Sequence, residues 1–231
     1  MNIKGLQKLT LLDFPGLIAC TIFTEGCNMR CPFCQNKNLV LPECSESIQI
    51  PEQDVLEFLT KRKDKLQGVC ITGGEPTLQS DLYEFIGKIK NIGYKVKLDT
   101  NGTNPECLKT LIDMHLLDYI AMDIKNSPHD YPKTIGCENI NIKNIYRSIN
   151  LIKGSGIKYE FRTTVVHELH NAENIWRIKE MLGEIDTYSL QYYVSSDNVI
   201  NPVFSTPTDT EMQMYKDIMS KTVKHVYIKG V

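Results

Sequence analysis

"GVCITGGEPTLQSDLYEFIGKIKNIGYKVKLDTNG", residues 68–102, holds the unit on which the fold turns. Its first five residues are short, apolar and β-prone, and they end on Gly73-Gly74. Residues 81–93 are amphipathic at helical spacing and stop on Gly93, as a helix closed by a left-handed glycine does. Residues 94–100 read as a strand again. Strand, helix and strand in such short succession predict a right-handed parallel crossover.

The same unit recurs outward in both directions. Strands are predicted over 17–24, 118–125, 157–166, 187–194 and 225–230, and helices over 51–65, 104–116, 141–156, 171–185 and 208–221. Seven strands alternating with six helices predict one α/β domain over 1–231, with a mostly parallel sheet and helices as crossovers. Periodicity leaves open whether that sheet is doubly wound or curls like a barrel. Residues 1–16 read as an N-terminal extension, 25–38 as a polar loop, and the stretch from 126 to about Cys137 as another.

A length of 231 residues suits one core. The net charge of −2 offers no electrostatic footprint for nucleic acid. Neither a leader nor an apolar run long enough for a membrane is visible, so the expected setting is cytoplasmic, where thiols stay reduced. Eight cysteines are too sparse for a disulfide scaffold and read instead as metal-binding or catalytic where they cluster.

In parallel α/β sheets chemistry gathers at the C-terminal ends of the strands. Here those ends carry the cysteine loop, "TGGEPT" (72–77), "LDTNGT" (98–103), "MDIKN" (122–126), Arg162 with "VVHELH" (165–170), and "LQYYV" (190–194). The loop "EGCNMRCPFCQNKN" (25–38) supplies Cys27, Cys31 and Cys34. A structural zinc site wants four ligands, which Cys20 or Cys44 could complete; an iron–sulfur cluster on three thiolates would keep one iron open. Cys20 and Cys70 read as small buried hydrophobes, and His167 and His170 as loop or surface histidines. Asp99 and Asp123 as strand-end caps, and Lys125 and Arg162 as plain ion-pair partners, stay open as alternatives.

With Phe33 before the last cysteine, Cys-x3-Cys-x2-Cys resembles the signature of radical S-adenosylmethionine enzymes, and "GGEP" (73–76) resembles that family's glycine-rich strand end. The order "LLDFPG", "FTEGCNMRCPFCQN", "ITGGEPTLQ", "LDTNG", "MDIK" resembles the glycyl-radical-enzyme activases most, in particular the anaerobic ribonucleoside-triphosphate reductase activating proteins. The resemblance implies a partial (βα)6 barrel and one [4Fe–4S] cluster on Cys27, Cys31 and Cys34, with S-adenosylmethionine on the fourth iron. It places Phe33, Gly73, Gly74, Glu75, Asp99, Thr100, Asp123, Lys125 and Arg162 around the cofactor, with a monovalent cation at Asp99 and Asp123. Asp13 falls where the activases contact the substrate loop. Val194 stands where a related activase carries a histidine. The implied reaction cleaves S-adenosylmethionine reductively to a 5′-deoxyadenosyl radical, which takes a hydrogen from a glycine Cα of a large partner enzyme. A flavodoxin- or ferredoxin-type donor would supply the electron. The 35–50 stretch is too short for a second, ferredoxin-like cluster insert. Runner-up readings are radical chemistry on a small molecule, as in 7-carboxy-7-deazaguanine synthases, or on a peptide; outside enzymes, a zinc-loop binding module.

Overall fold

The computed structural model describes residues 1–41, 44, 49–196 and 198–230; residues 42–43 and 45–48 of the 35–50 stretch lie outside the described residues. Among the described residues eight strands pair in chain order: β1 (Ile3–Thr10), β2 (Ala19–Thr24), β3 (Gly68–Gly73), β4 (Lys95–Thr100), β5 (Tyr119–Asp123), β6 (Lys158–Val165), β7 (Ile185–Tyr192) and β8 (Val223–Lys229). The short helix α1 (Lys37–Val40) follows the cysteine loop. Crossovers are made by α2 (Glu52–Lys61), α3 (Leu82–Ile92) and α4 (Pro105–Asp113), then, after the short α5 (Tyr131–Ile135), by α6 (Ile142–Gly154), α7 (Ala172–Leu182) and α8 (Asp209–Met219). From β2 onward every neighbouring pair is parallel, giving six βα units closed by a final strand.

The sheet is curled. Arg162 on β6 reaches Asp99 on β4 past the intervening β5, as side chains on the inside of a bent sheet do. Because β1 and β8 do not pair with each other, the curl stops short of closure and one side stays open.

Two features depart from the sequence reading. Residues 3–10, expected within an extension, form β1 and pair antiparallel with β2. Its Lys4, Gly5, Gln7 and Lys8 break the apolar alternation that marks a strand, as suits a sheet edge that must not recruit a neighbour. The predicted polar loop after β5 contains α5, whose Gly136 (φ 63°) closes it in the left-handed conformation.

Alternation along each strand sends one set of side chains outward and the other inward. Outward residues such as Ile22, Ile71, Leu98, Met122 and Phe161 are fully buried with the helices' apolar faces. Inside, the lower end of the curl is plugged by a separate cluster of Phe14, Ala19, Tyr119 and Ala121. The Phe14 and Tyr119 ring centroids lie 6.0 Å apart. Gly68 makes room for that plug, since a Cβ there would stand 2.8 Å from the Phe14 ring. Above the plug the interior becomes polar and opens into a cavity.

Candidate functional site

The cysteine loop leaves β2 at Thr24 and is tied down on several sides. Gly26 N–H donates to the Leu39 carbonyl at 2.7 Å, and Arg30 N–H donates to the Ile135 carbonyl at 2.8 Å. On the far side Ile200 N–H donates to the Cys34 carbonyl (3.1 Å) and Asn201 N–H to the Pro32 carbonyl (2.7 Å). Met29 and Phe33 bury their side chains and anchor the loop from within. Fixed this way, Cys27, Cys31 and Cys34 all face one cavity of about 410 Å³.

Burial pushes the Cys27 thiol up, and pushes Cys31 up to about 12 even though Lys125 pulls the other way. Such thiols keep their protons until a metal displaces them. Among the described residues no group of three or more Cys, His, Asp or Glu is arranged around a single ion. Neither Cys20 nor Cys44 lines the cavity.

The close approach that requires glycine at 73 and 74 is made by the chain itself. A Cβ on Gly73 would lie 2.3 Å from the Thr24 backbone, and one on Gly74 1.9 Å from the Gly26 carbonyl oxygen. These glycines press the end of β3 against the root of the cysteine loop, with Gly74 N–H donating to Thr24 O (2.9 Å) and Glu75 N–H to Gly26 O (2.7 Å). Glu75 is buried, and both its oxygens are occupied. Oε1 accepts from Thr77 N–H (3.1 Å), Thr77 Oγ1 (2.5 Å) and Thr100 Oγ1 (2.8 Å), while Oε2 accepts from Asn101 N–H (2.6 Å). Burial raises its carboxyl and these donors counter it. Glu75 therefore locks the ends of β3 and β4 together. Asn101 extends the lock to the cysteine loop: its amide donates to Asn28 Oδ1 at 2.9 Å and points at Cys27 Sγ, 3.9 Å away.

Facing the thiols across the cavity is a ladder of charge. Asp99 pairs with Lys97 and with Arg162 (3.2 Å); Asp123 pairs with Arg162 and with Lys125 (2.8 Å). Burial alone would raise both carboxyls. Arg162, with Lys97 at Asp99 and Lys125 at Asp123, outweighs it and holds both below the usual carboxylate range. Lys125 and Arg162 are held charged by the same partners against their own burial.

All thirteen site residues named from the sequence, Asp13 and Phe33 included, line this one cavity. Asp13 accepts a hydrogen bond from Thr21 Oγ1 at 2.5 Å. Val194 lies past the end of β7, half exposed and off the cavity; the β7 residue that lines it is Gln191. His170 is buried rather than at the surface. Its Nδ1 accepts from Val166 N–H (3.1 Å) and its Nε2 donates to the Lys125 carbonyl (2.9 Å), which fixes the backbone that carries Lys125. His167 is exposed, 2.9 Å from Glu211. Cys20 sits in the apolar core as expected, whereas Cys70 faces inward, 3.8 Å from Lys97 Nζ. Sequence reasoning passed over Gln7, Thr21, Thr164, Gln191 and Lys97. Thr164 and Lys97 stand two residues from Arg162 and Asp99 on the same strand faces, so parity was the signal available.

Residues 21–185 match the family model of the radical SAM superfamily. The chain is 32% identical over 236 residues to a Methanocaldococcus jannaschii protein named as a glycyl-radical enzyme activating enzyme, covering 99% of this chain and 96% of that one. It is also 32% identical to the pyruvate formate-lyase-activating enzyme of Listeria monocytogenes, over 54% of this chain and 53% of the other. Among solved structures, TYW1 with a lysine-pyruvate adduct superposes with a TM-score of 0.66 at 15% identity, covering 91% of this chain and 76% of that one. A domain of the pyruvate-formate lyase-activating enzyme from Bacteroides vulgatus superposes with a TM-score of 0.56 at 20% identity, covering 71% and 99%. At these identities the structural likeness shows the fold, the partial barrel of six βα units.

Proposed function

The chain belongs to the radical SAM superfamily, and we propose that it activates a glycyl radical enzyme, the anaerobic ribonucleoside-triphosphate reductase being the partner we infer. Membership implies a [4Fe–4S] cluster and S-adenosylmethionine. The donor set fits both: among the described residues three soft thiols line one wall with no fourth in the cavity, and a cationic Lys125–Arg162 band lines the other. When bound, the pair supplies reductive carbon–sulfur cleavage and hydrogen-atom abstraction, with the electron drawn from a flavodoxin- or ferredoxin-type donor. Cys27, Cys31 and Cys34 would hold the cluster. Lys125 and Arg162 would orient the anionic end of the cofactor, and Phe33 and Met29 give the cavity an apolar lining beside the thiols.

The observation that carries the reading is convergence: the thiols, the glycine-rich strand end and the charge ladder come from separate elements onto one cavity. A protein substrate is favoured by the unclosed sheet. The cavity runs from Gln7 on β1 to Gln191 on β7, beside the gap between β1 and β8, where an extended segment of a partner could enter alongside Asp13. Anaerobic incubation of the reconstituted, reduced protein with S-adenosylmethionine and the reductase should give the EPR doublet of a glycyl radical on the reductase. Turnover of the cofactor with no radical on the reductase or on any other glycyl radical enzyme, together with consumption of a small molecule, would move the substrate to the small-molecule class.

A further inference from the structure

Asp99, buried, and Asp123, half-buried, are neighbouring carboxylates, the pair at which the family resemblance implies a monovalent cation site. In the fold each of their four oxygens already faces a nitrogen cation. Asp99 Oδ1 meets Lys97 Nζ, and its Oδ2 meets Arg162 Nη2 at 3.2 Å. Asp123 Oδ1 meets Arg162 Nε, and its Oδ2 meets Lys125 Nζ at 2.8 Å. Two carboxylates against three cationic side chains leave a positive surplus before any ion is added. Glu160, the next carboxylate inside the sheet, is taken by Lys229 at 2.6 Å and Ser189 at 2.8 Å. Asp13 and Glu75 line the same cavity, but Asp13 accepts from Thr21 and both oxygens of Glu75 are held by Thr77, Thr100 and Asn101, so what keeps an ion out is the full occupation of the Asp99 and Asp123 oxygens by nitrogen cations.

Lys97 is the member of this group that the expected cofactor chemistry does not use. Its side chain is only 2% exposed. The ammonium is boxed between Asp99, Cys70 Sγ at 3.8 Å and the Tyr119 ring, whose centroid is 6.0 Å away. A strongly hydrated head group in that position cannot swing into water. We propose that Lys97 is the built-in counter-cation of Asp99, standing where a diffusible sodium or potassium ion would otherwise sit, so that cofactor binding in this chain needs no monovalent metal ion.

The proposal rests on the cofactor reading for one of two readouts, and the other is independent of it. First, cluster-free, cofactor-free protein is melted in sodium, potassium and tetramethylammonium chloride at equal ionic strength; the last cation is too large for a carboxylate cage. The wild type should melt within about 1 °C in all three, whereas Lys97→Met should gain about 2–4 °C selectively from sodium or potassium. Second, the cluster-loaded wild type should bind S-adenosylmethionine with an affinity constant to within about twofold across the salts. Lys97→Met should lose about tenfold in tetramethylammonium and recover it with a small cation. Selective stabilisation or tighter binding of the wild type by sodium or potassium overturns the proposal, as does a folded Lys97→Met with no cation preference. Should that variant not fold, the wild-type comparison decides alone. Failure of S-adenosylmethionine to bind in every salt breaks the cofactor reading, and the melting comparison still decides the role of Lys97.

Discussion

Successive residues of β4 live in opposite chemistries. Val96 and Leu98 point outward and are fully buried by apolar neighbours, while Lys97 and Asp99 point inward and are buried by each other and by Arg162. β6 repeats the pattern, with Phe161 outward and Glu160 and Arg162 inward. The outer face is satisfied by packing and tolerates any side chain of about the right shape. The inner face is satisfied by complete pairing, and losing one member strands a buried charge. Both faces therefore bear on whether the chain folds, while the inner face alone also sets what the folded chain can bind.

The sharpest break of that comparison is on the inner wall. Cys31→Ala should reduce 5′-deoxyadenosine formation from S-adenosylmethionine and dithionite to background while leaving the circular dichroism spectrum unchanged. Next, Arg162→Met removes the cation shared by two carboxylates and should cost about 3–5 kcal/mol in a denaturant titration. It should weaken S-adenosylmethionine binding as well. Leu98→Ala on the outer face should cost a similar about 2–5 kcal/mol, but with cofactor affinity intact in the fraction that remains folded.

Acid provides a subtler contrast. Asp99 and Asp123 have folded-state pKa values below their unfolded ones. Their stabilisation is complete above the unfolded value, about 3.9, and is lost as pH falls below it toward the folded values. Stability measured by denaturant midpoint should thus fall below about pH 4 in the wild type and less steeply in Arg162→Met, which has already lost most of the linkage. The smallest effect belongs to the outside of the plug. Leu12 is 89% exposed, and Leu12→Ser should change stability by no more than about 0.5 kcal/mol.

Much of this molecule was legible in the sequence because the βα alternation is carried by periodicity and by glycine stops such as Gly93. The strand-end polar residues were legible for the same reason, since parallel strands must deliver their C-terminal ends to one rim. Three things were hidden. β1 pairs through its backbone while presenting Lys4, Gln7 and Lys8, so no apolar pattern announces it. Lys97 in "YKVKLDT" looks like the solvent side of a half-buried strand; only the curl turns that side into an interior. In the sequence Gly73, Gly74 and Glu75 resemble residues that border a ligand. They do line the cavity, yet their tightest contacts are to Thr24, Gly26, Thr100 and Asn101, contacts between segments distant in the chain that spacing cannot reveal.

Held by only three thiols of one loop, a cluster would keep one iron free for a ligand oriented by the opposite wall. EPR of the anaerobically reconstituted, dithionite-reduced protein tests it most directly. The expected result is a [4Fe–4S]⁺ signal whose g-values shift when S-adenosylmethionine is added, and which Cys20→Ala and Cys44→Ala leave unchanged. A signal indifferent to S-adenosylmethionine, or one that disappears with Cys20 or Cys44, would contradict it.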